Sequence, residues 1–190
     1  LEKKLPRKDE KIKSLLKELS TSEGQKFSKH LQLLKNEGNI YILKPLADLM
    51  LNKEIKEQQE ILTLFGDLNE SAAVDEIVDI LRDEKFMSVR QLILTAVWNS
   101  KLNYSNYLPE FIEIAVEGNF MEALECLTIM ENMEGPFKEQ HILEAQLHLK
   151  DYLEDPAPKE TEKAKIISEI ALIVKDLSLF DEEDMSSYME

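Results

Sequence analysis

An all-α fold of helix pairs stacked side by side is what this 190-residue sequence predicts, and three observations lead to it. Apolar residues recur at spacings of three and four almost everywhere, and no stretch alternates apolar and polar over the length of a strand. Residues 74 to 98 are written a second time as residues 108 to 132, 34 positions on. Glu76, Ile80, Phe86 and Met87 return as Glu110, Ile114, Phe120 and Met121, and Val74, Ile77, Val78, Leu92 and Ile93 map onto Leu108, Phe111, Ile112, Cys126 and Leu127. A fainter copy precedes them by 31, with Leu46, Leu49, Ile55, Ile61 and Leu62 ahead of Ile77, Ile80, Phe86, Leu92 and Ile93. Glycine is sparse, at five residues, and several stand where helices should end. A period in this range belongs to supersecondary units that bury their apolar faces only against neighbours. About nine to ten helices are expected.

The first helix is expected over about 8–19, with Ile12, Leu15, Leu16 and Leu19 on one face, and Ser20 to Gly24 breaks it. A second, about 24–36, carries Phe27, Leu31 and Leu34 and stops at Gly38, whose missing Cβ suits a left-handed cap. Three repeats follow, each a helix A, a tight turn and a helix B. The first has A near 40–51, with Pro45 inside it, and B near 54–68. In the second, Ser71 is placed to cap A at about 72–82, Asp83 opens the turn, and B runs about 86–99. The third has Pro109 in the first turn of A, where its missing N–H costs little, and Gly118-Asn119 ahead of B at about 120–133. After Gly135-Pro136 a helix is expected at about 137–153, then a rigid break at Asp155-Pro156-Ala157-Pro158 and a final helix at about 160–178. This last pair fits the repeat poorly, as a terminal cap with a polar outer face would. The expected organisation is one domain over 1–180: cap helices 8–38, clear repeats 40–134, cap helices 137–178, then an acidic tail 181–190.

The run Asp83-Glu84-Lys85-Phe86-Met87-Ser88-Val89-Arg90, followed by Leu92, Ile93 and Ala96, resembles the HEAT-like (armadillo-type) repeat family. Such repeats carry an Asp in the inter-helix turn and Val-Arg early in helix B. The resemblance covers about residues 40–134 and implies a right-handed α–α superhelix, a short solenoid whose B helices line a concave surface. It also implies a ladder of Asp and Arg along the stack. Asp83 and Arg90 match that ladder, but the equivalent positions elsewhere are Asn52 with Gln59, and Glu117 or Gly118 with Leu124, so it is incomplete. Arrays of this family mostly serve as scaffolds, with a few enzymatic branches.

Hydrophobic residues make up 43% of the chain, enough for a substantial core. The 23 basic and 38 acidic residues leave a net charge of −15, a field that repels phosphate backbones and anionic lipid. Neither nucleic acid nor membrane is therefore expected as a partner; a protein or peptide with a basic surface would be steered toward the chain. Lys3, Lys4, Arg7, Lys8, Lys11 and Lys13 make the first segment basic, while Asp181, Glu182, Glu183, Asp184 and Glu190 make the last one acidic. A single cysteine, Cys126, excludes an intrachain disulfide and fits a reducing compartment. The longest apolar stretch near the end, Ile166 to Val174, is too short for a bilayer, which needs about 20 apolar residues. The cytoplasm is the expected location.

Helix B of the second repeat holds the candidate partner-binding residues. Advancing about 100° per residue from Val89, Phe86, Leu92, Ile93, Ala96 and Val97 form one buried arc. Met87, Leu94 and Trp98 form a second stripe, flanked by Arg90 and Gln91. Packed along the first arc alone, the helix would expose that stripe, and Met, Trp and Arg are favoured at protein contacts; covered by neighbouring repeats, it would be core. The loop Asn99 to Tyr107, with Tyr104 within it, has the adaptable polar and aromatic mix of recognition surfaces, or else tucks its tyrosines back onto the helices. His141, Glu144 and His148 share a helical face, but the histidines stand about 10 Å apart along the axis, too far for one zinc ion. Cys126 lies on an apolar stripe with no cation beside it in sequence and is expected to be buried. The segment from Leu177 to Glu190 sets Leu179, Phe180, Met185, Tyr188 and Met189 among acids, as a docking peptide or a loose tail would.

No nucleophile elbow, phosphate loop, dinucleotide fingerprint or zinc-protease motif occurs. The expected function is a non-enzymatic protein- or peptide-binding scaffold, without catalytic residues, cofactor or metal, that uses Met87, Arg90, Gln91, Leu94, Trp98 and Tyr104. The alternative is an enzyme of a HEAT-like branch, similar to the alkylpurine DNA glycosylases or the phycobilin lyases; the acidic balance opposes the first and no residue singles out a bilin site for the second.

Overall fold

The computed structural model describes residues 7–37, 40–157 and 159–187, the side chains of 7–9 and 179–187 excepted. Ten α-helices lie among them: α1 Arg7–Thr21, α2 Gly24–Glu37, α3 Leu43–Met50, α4 Ile55–Gly66, α5 Ala73–Arg82, α6 Met87–Asn99, α7 Leu108–Glu117, α8 Phe120–Glu131, α9 Glu139–Glu154 and α10 Thr161–Ser187. No strand occurs among the described residues. Single 3₁₀ turns, Ile40–Ile42, Glu84–Phe86 and Ser105–Tyr107, lead into α3, α6 and α7. The all-helical class and the helix order follow the sequence pattern closely. Gly38 and Pro158 lie outside the described residues, as do Lys3 and Lys4 at the start and Tyr188 to Glu190 at the end.

Three expectations need correction. Ser71 does not cap α5 with its side chain; Ala72 is the N-cap, and Ser71 contributes its backbone oxygen to the N–H of Val74. Ile55, matched by the fainter repeat to the buried Phe86, opens α4 at the surface, 72% exposed against 0%. Helix α10 continues to Ser187 instead of stopping near 178, because neither glycine nor proline interrupts Thr161 to Ser187.

The chain forms two compact units, Leu1–Lys101 and Leu102–Glu190. In the first, helices pack on their sequence neighbours (α1 on α2, α3 on α4, α5 on α6) and also on the helix two further along (α2 on α4, α3 on α5, α4 on α6). The sequence explains this double engagement. Val74, Ile77, Val78 and Leu81 give α5 one continuous apolar face, all buried, while Asp75, Asp79 and Arg82 face solvent.

Polar contacts fix how these helices meet. At the start of α4, Glu57 is only 7% exposed and accepts the backbone N–H of Gly24 at 3.2 Å, while Lys53 donates to the carbonyl of Ser22 at 2.7 Å. The α1–α2 turn is thus clamped from both sides, at the place where Gly24 adopts a φ of +52°. The hydrogen bond from Gly24, more than any charge, holds the Glu57 carboxyl below its ordinary range. Further along, Lys44 of α3 bonds Asp83 at 2.9 Å, and Lys85 pairs with Asp48 of α3. Both ammonium groups stand near the ring of the buried Phe86, 5.9 and 5.3 Å from its centre. Asp83 also accepts the backbone N–H of Lys85. The turn aspartate that the family resemblance assigns to a ladder thus reaches back to a lysine of the preceding helix pair.

In the second unit α7 packs on α8 and α9, and α10 on α8 and α9. Leu108, Phe111, Ile112 and Ala115 supply the buried face of α7, and Tyr104 meets Phe111 edge-on with centroids 5.8 Å apart. Helix α8 starts from a full capping box. Asn119 accepts from the N–H of Glu122, and Glu122 accepts from that of Asn119. Lys163 of α10, 9% exposed, donates to the carbonyls of Val116 and Gly118 at 2.7 and 2.5 Å and so closes the C-terminal end of α7.

Replacing Lys163 by Met keeps the aliphatic stem but strands both carbonyls, and should destabilise the protein by about 1–3 kcal/mol in urea unfolding. For Glu57 and Asp83 the folded pKa values lie below the ordinary 4.5 and 3.8. The stability they contribute is therefore full above those values and is lost as pH falls through the lower folded ones. The Glu57→Gln, Asp83→Asn double variant should be less stable than the parent by a constant margin above about pH 5, and that margin should shrink steadily on acidification in denaturant midpoints.

Candidate functional site

The second helix of each pair in the first unit, α2, α4 and α6, forms a face scored by connected grooves. One, of about 240 Å³, runs between α2 and α4 and is lined by Ser28, Leu31, Gln32, Lys35, Glu60, Thr63 and Leu64. Another, of about 370 Å³, runs between α4 and α6 and is lined by Leu62, Thr63, Gly66, Asp67, Thr95, Ala96 and Asn99. A third, of about 240 Å³, opens where Lys35, Leu64 and Asp67 meet Ile40, Ile42 and Leu68 to Glu70. Thr63, Lys35, Leu64 and Asp67 are shared between neighbouring grooves. At the junction Lys35 and Asp67 form an exposed ion pair at 2.6 Å.

Local helix chemistry builds the walls of the α4–α6 groove. Thr63 Oγ1 donates to the carbonyl of Gln59 at 2.9 Å, and Thr95 Oγ1 to that of Gln91 at 3.2 Å. Asn99 donates from Nδ2 to the carbonyl of Thr95 at 2.8 Å. Thr-x-x-x-Asx therefore stands at the C-terminal end of α4 and of α6, and appears a third time in α8, where Thr128 donates to Leu124 and Asn132 to Thr128. Residues 63, 95 and 128 follow one another at nearly the repeat period, a polar echo that tracking apolar positions alone passes over. At Gly66 a Cβ would lie 3.7 Å from Asn99 Cβ, an ordinary contact, so the approach of the two helices does not depend on glycine.

The six residues chosen from the sequence separate into two groups. Met87 is 56% exposed, Trp98 40%, and Gln91 is half-buried. Leu94 is fully buried, and Arg90 and Tyr104 are buried too. Leu94 is thus core and not surface stripe, its flanking Arg90 is buried with it, and Tyr104 is tucked back from the Asn99–Tyr107 loop. The buried arc of α6, from Ala96 through Val89, Ile93 and Val97 to Arg90 and Leu94, spans about 160° of its circumference because α6 packs on both α4 and α5. Of the six, Met87, Gln91 and Trp98 lie outside it, beside the groove-lining Thr95 and Asn99. Tyr104 belongs to the second unit, against Phe111.

Several chemically suggestive groups have local duties. His30 lies 3.3 Å from a Glu18 oxygen and 3.4 Å from Ser22 Oγ, an acid–imidazole–hydroxyl order, but the Ser22 hydroxyl donates to the carbonyl of Leu19 and closes α1. Burial pushes the Lys163 amine below its usual range, against the opposing pull of Glu160, Glu122 and Glu117, yet two carbonyls hold it. Cys126 is buried. Among the described residues no three His, Cys, Asp or Glu side chains come together as metal ligands, and no helix is long and apolar enough to cross a membrane. The second unit exposes Leu143, Leu147 and Leu153 of α9 and Leu172 of α10, each more than half. Leu153 also lines an α9–α10 depression of about 310 Å³.

No family model matches the chain, and no curated protein or solved structure matches it either.

Leu94→Ala should cost about 2–5 kcal/mol of folding stability, whereas Met87→Ala and Gln91→Ala should stay within about 0.5 kcal/mol of the parent; equilibrium urea unfolding of the three variants compares them.

Proposed function

We propose that this chain is a non-enzymatic scaffold of HEAT-like, armadillo-type build, a short right-handed superhelix in the cytoplasm that holds a protein or peptide along its B-helix face. The observation that carries the reading is the linked run of grooves across α2, α4 and α6, flanked by the exposed Met87, Gln91 and Trp98. A peptide lying across the grooves would bury its side chains between successive helices and meet the aromatic and thioether surface of α6 beside them. Packing of α2 on α4, α3 on α5 and α4 on α6 supports the stacked arrangement. The acidic balance favours a partner with a basic surface and opposes DNA as a substrate.

Selection of displayed random peptides against the full chain tests this. Selected peptides should lose at least about tenfold in affinity on Thr63→Arg, which obstructs the grooves, a loss of the size that removal of one interface anchor produces. The same charge placed on the outer face of α5 by Asp79→Arg should change affinity less than twofold. Binding should also shift the emission of Trp98, the single tryptophan. Failure to select any binder, or binders indifferent to Thr63→Arg, would overturn the reading.

A further inference from the structure

We infer that the α4–α6 groove is a receptor for an arginine side chain carried by the bound peptide, an inference that rests on the scaffold reading and names its partner's chemistry. Three independent features converge there. First, the walls offer mainly oxygen. The hydroxyl proton of Thr63 and one amide proton of Asn99 are directed to carbonyls one turn back, which turns the acceptor side of these groups outward, and Asp67 adds a carboxylate. Second, two helix C-termini meet at the groove. Gly66 ends α4 and Asn99 ends α6, and neither helix has a basic residue in its last turn, so the negative ends of both dipoles are left without a cation of their own helix. Third, the one carboxylate on the groove's edge, Asp67, already holds a cation, Lys35 of α2, which lines the neighbouring grooves; at 41% and 52% exposure the pair is open to competition.

A guanidinium fits this setting better than an ammonium. Its planar fork carries five N–H donors that can serve acceptors on two helices at once, and its weaker hydration lowers the cost of entry. Leu62, Gly66 and Ala96 supply apolar surface for the methylene stem. The peptide's arginine displaces Lys35 from Asp67 as it enters.

Titration of the full, isotope-labelled chain with acetyl-Gly-Arg-Gly-amide, followed by NMR, tests the inference. Shifts should concentrate at Thr63, Asp67, Thr95 and Asn99. The citrulline analogue, neutral but of the same shape, should bind about tenfold more weakly, and the lysine analogue should lie between them. Asp67→Asn should weaken arginine binding, Gly66→Leu should block it, and Lys35→Met, which removes the internal competitor, should strengthen it. Far-UV circular dichroism confirms folding, and because Lys35→Met moves affinity upward, a misfolded variant cannot imitate it. Equal binding of arginine and citrulline, or shifts elsewhere, would overturn the inference. Displayed peptides that are blocked by Thr63→Arg yet carry no basic residue would overturn it while leaving the scaffold reading standing.

Discussion

Each helix pair carries more apolar surface than its two members can bury against each other. Helix α6 makes the constraint concrete: its buried arc takes in Val89 and Ile93 on one side and Leu94 on the other, more than one neighbour can cover. Packing on the next helix along as well as on the adjacent one resolves the excess, and α4, in the middle of its row, is engaged by α2, α3 and α6 together. Stability is therefore shared between pairs, as in arrays whose units cannot fold alone. Where burial is this broad, side chains that remain in solvent, such as Met87 and Trp98, stand out.

Polar groups then decide where helices begin and end. Glu57 of α4, Lys53 of the α3–α4 turn and Lys163 of α10 each reach to the backbone at the end of another helix, and the apolar layers themselves do not specify such contacts. An apolar interface tolerates sliding along the helix axis, whereas a carboxylate on a particular N–H, or an ammonium on two carbonyls, does not. These long side chains act as pins that set the axial position of neighbouring helices.

Much of this was legible in the sequence. The repeat put α5–α6 and α7–α8 in matching registers: Ile77 and Phe111 are both 1% exposed, Ile80 and Ile114 both buried, and Met87 and Met121 both on the surface. Gly118-Asn119 was readable as the break ahead of α8, and the capping box between Asn119 and Glu122 fixes where that helix begins. Burial of Leu94 and Arg90 was not readable, because helical periodicity locates the centre of an apolar face and leaves its width to the number of neighbours. The groove escaped for a related reason. Thr63, Asp67, Thr95 and Asn99 look like ordinary polar surface until two helix ends are brought together.

The link between α7 and α8 is confined to Gly118 and Asn119. A side chain at 118 would collide with the Ile114 carbonyl and the Glu122 carboxylate, both 2.6 Å from where its Cβ would sit, while Lys163 grips the carbonyl of Gly118 from outside. The connection between α6 and α7, from Ser100 to Tyr107, is longer than that between α4 and α5, from Asp67 to Ala72. That difference accounts for most of the slack between a spacing of 31 and one of 34. Grafted loops or affinity tags would thus be better accommodated in the Ser100–Tyr107 connection than at the hairpin joint 118–119, where the chain has no room to be cut or lengthened.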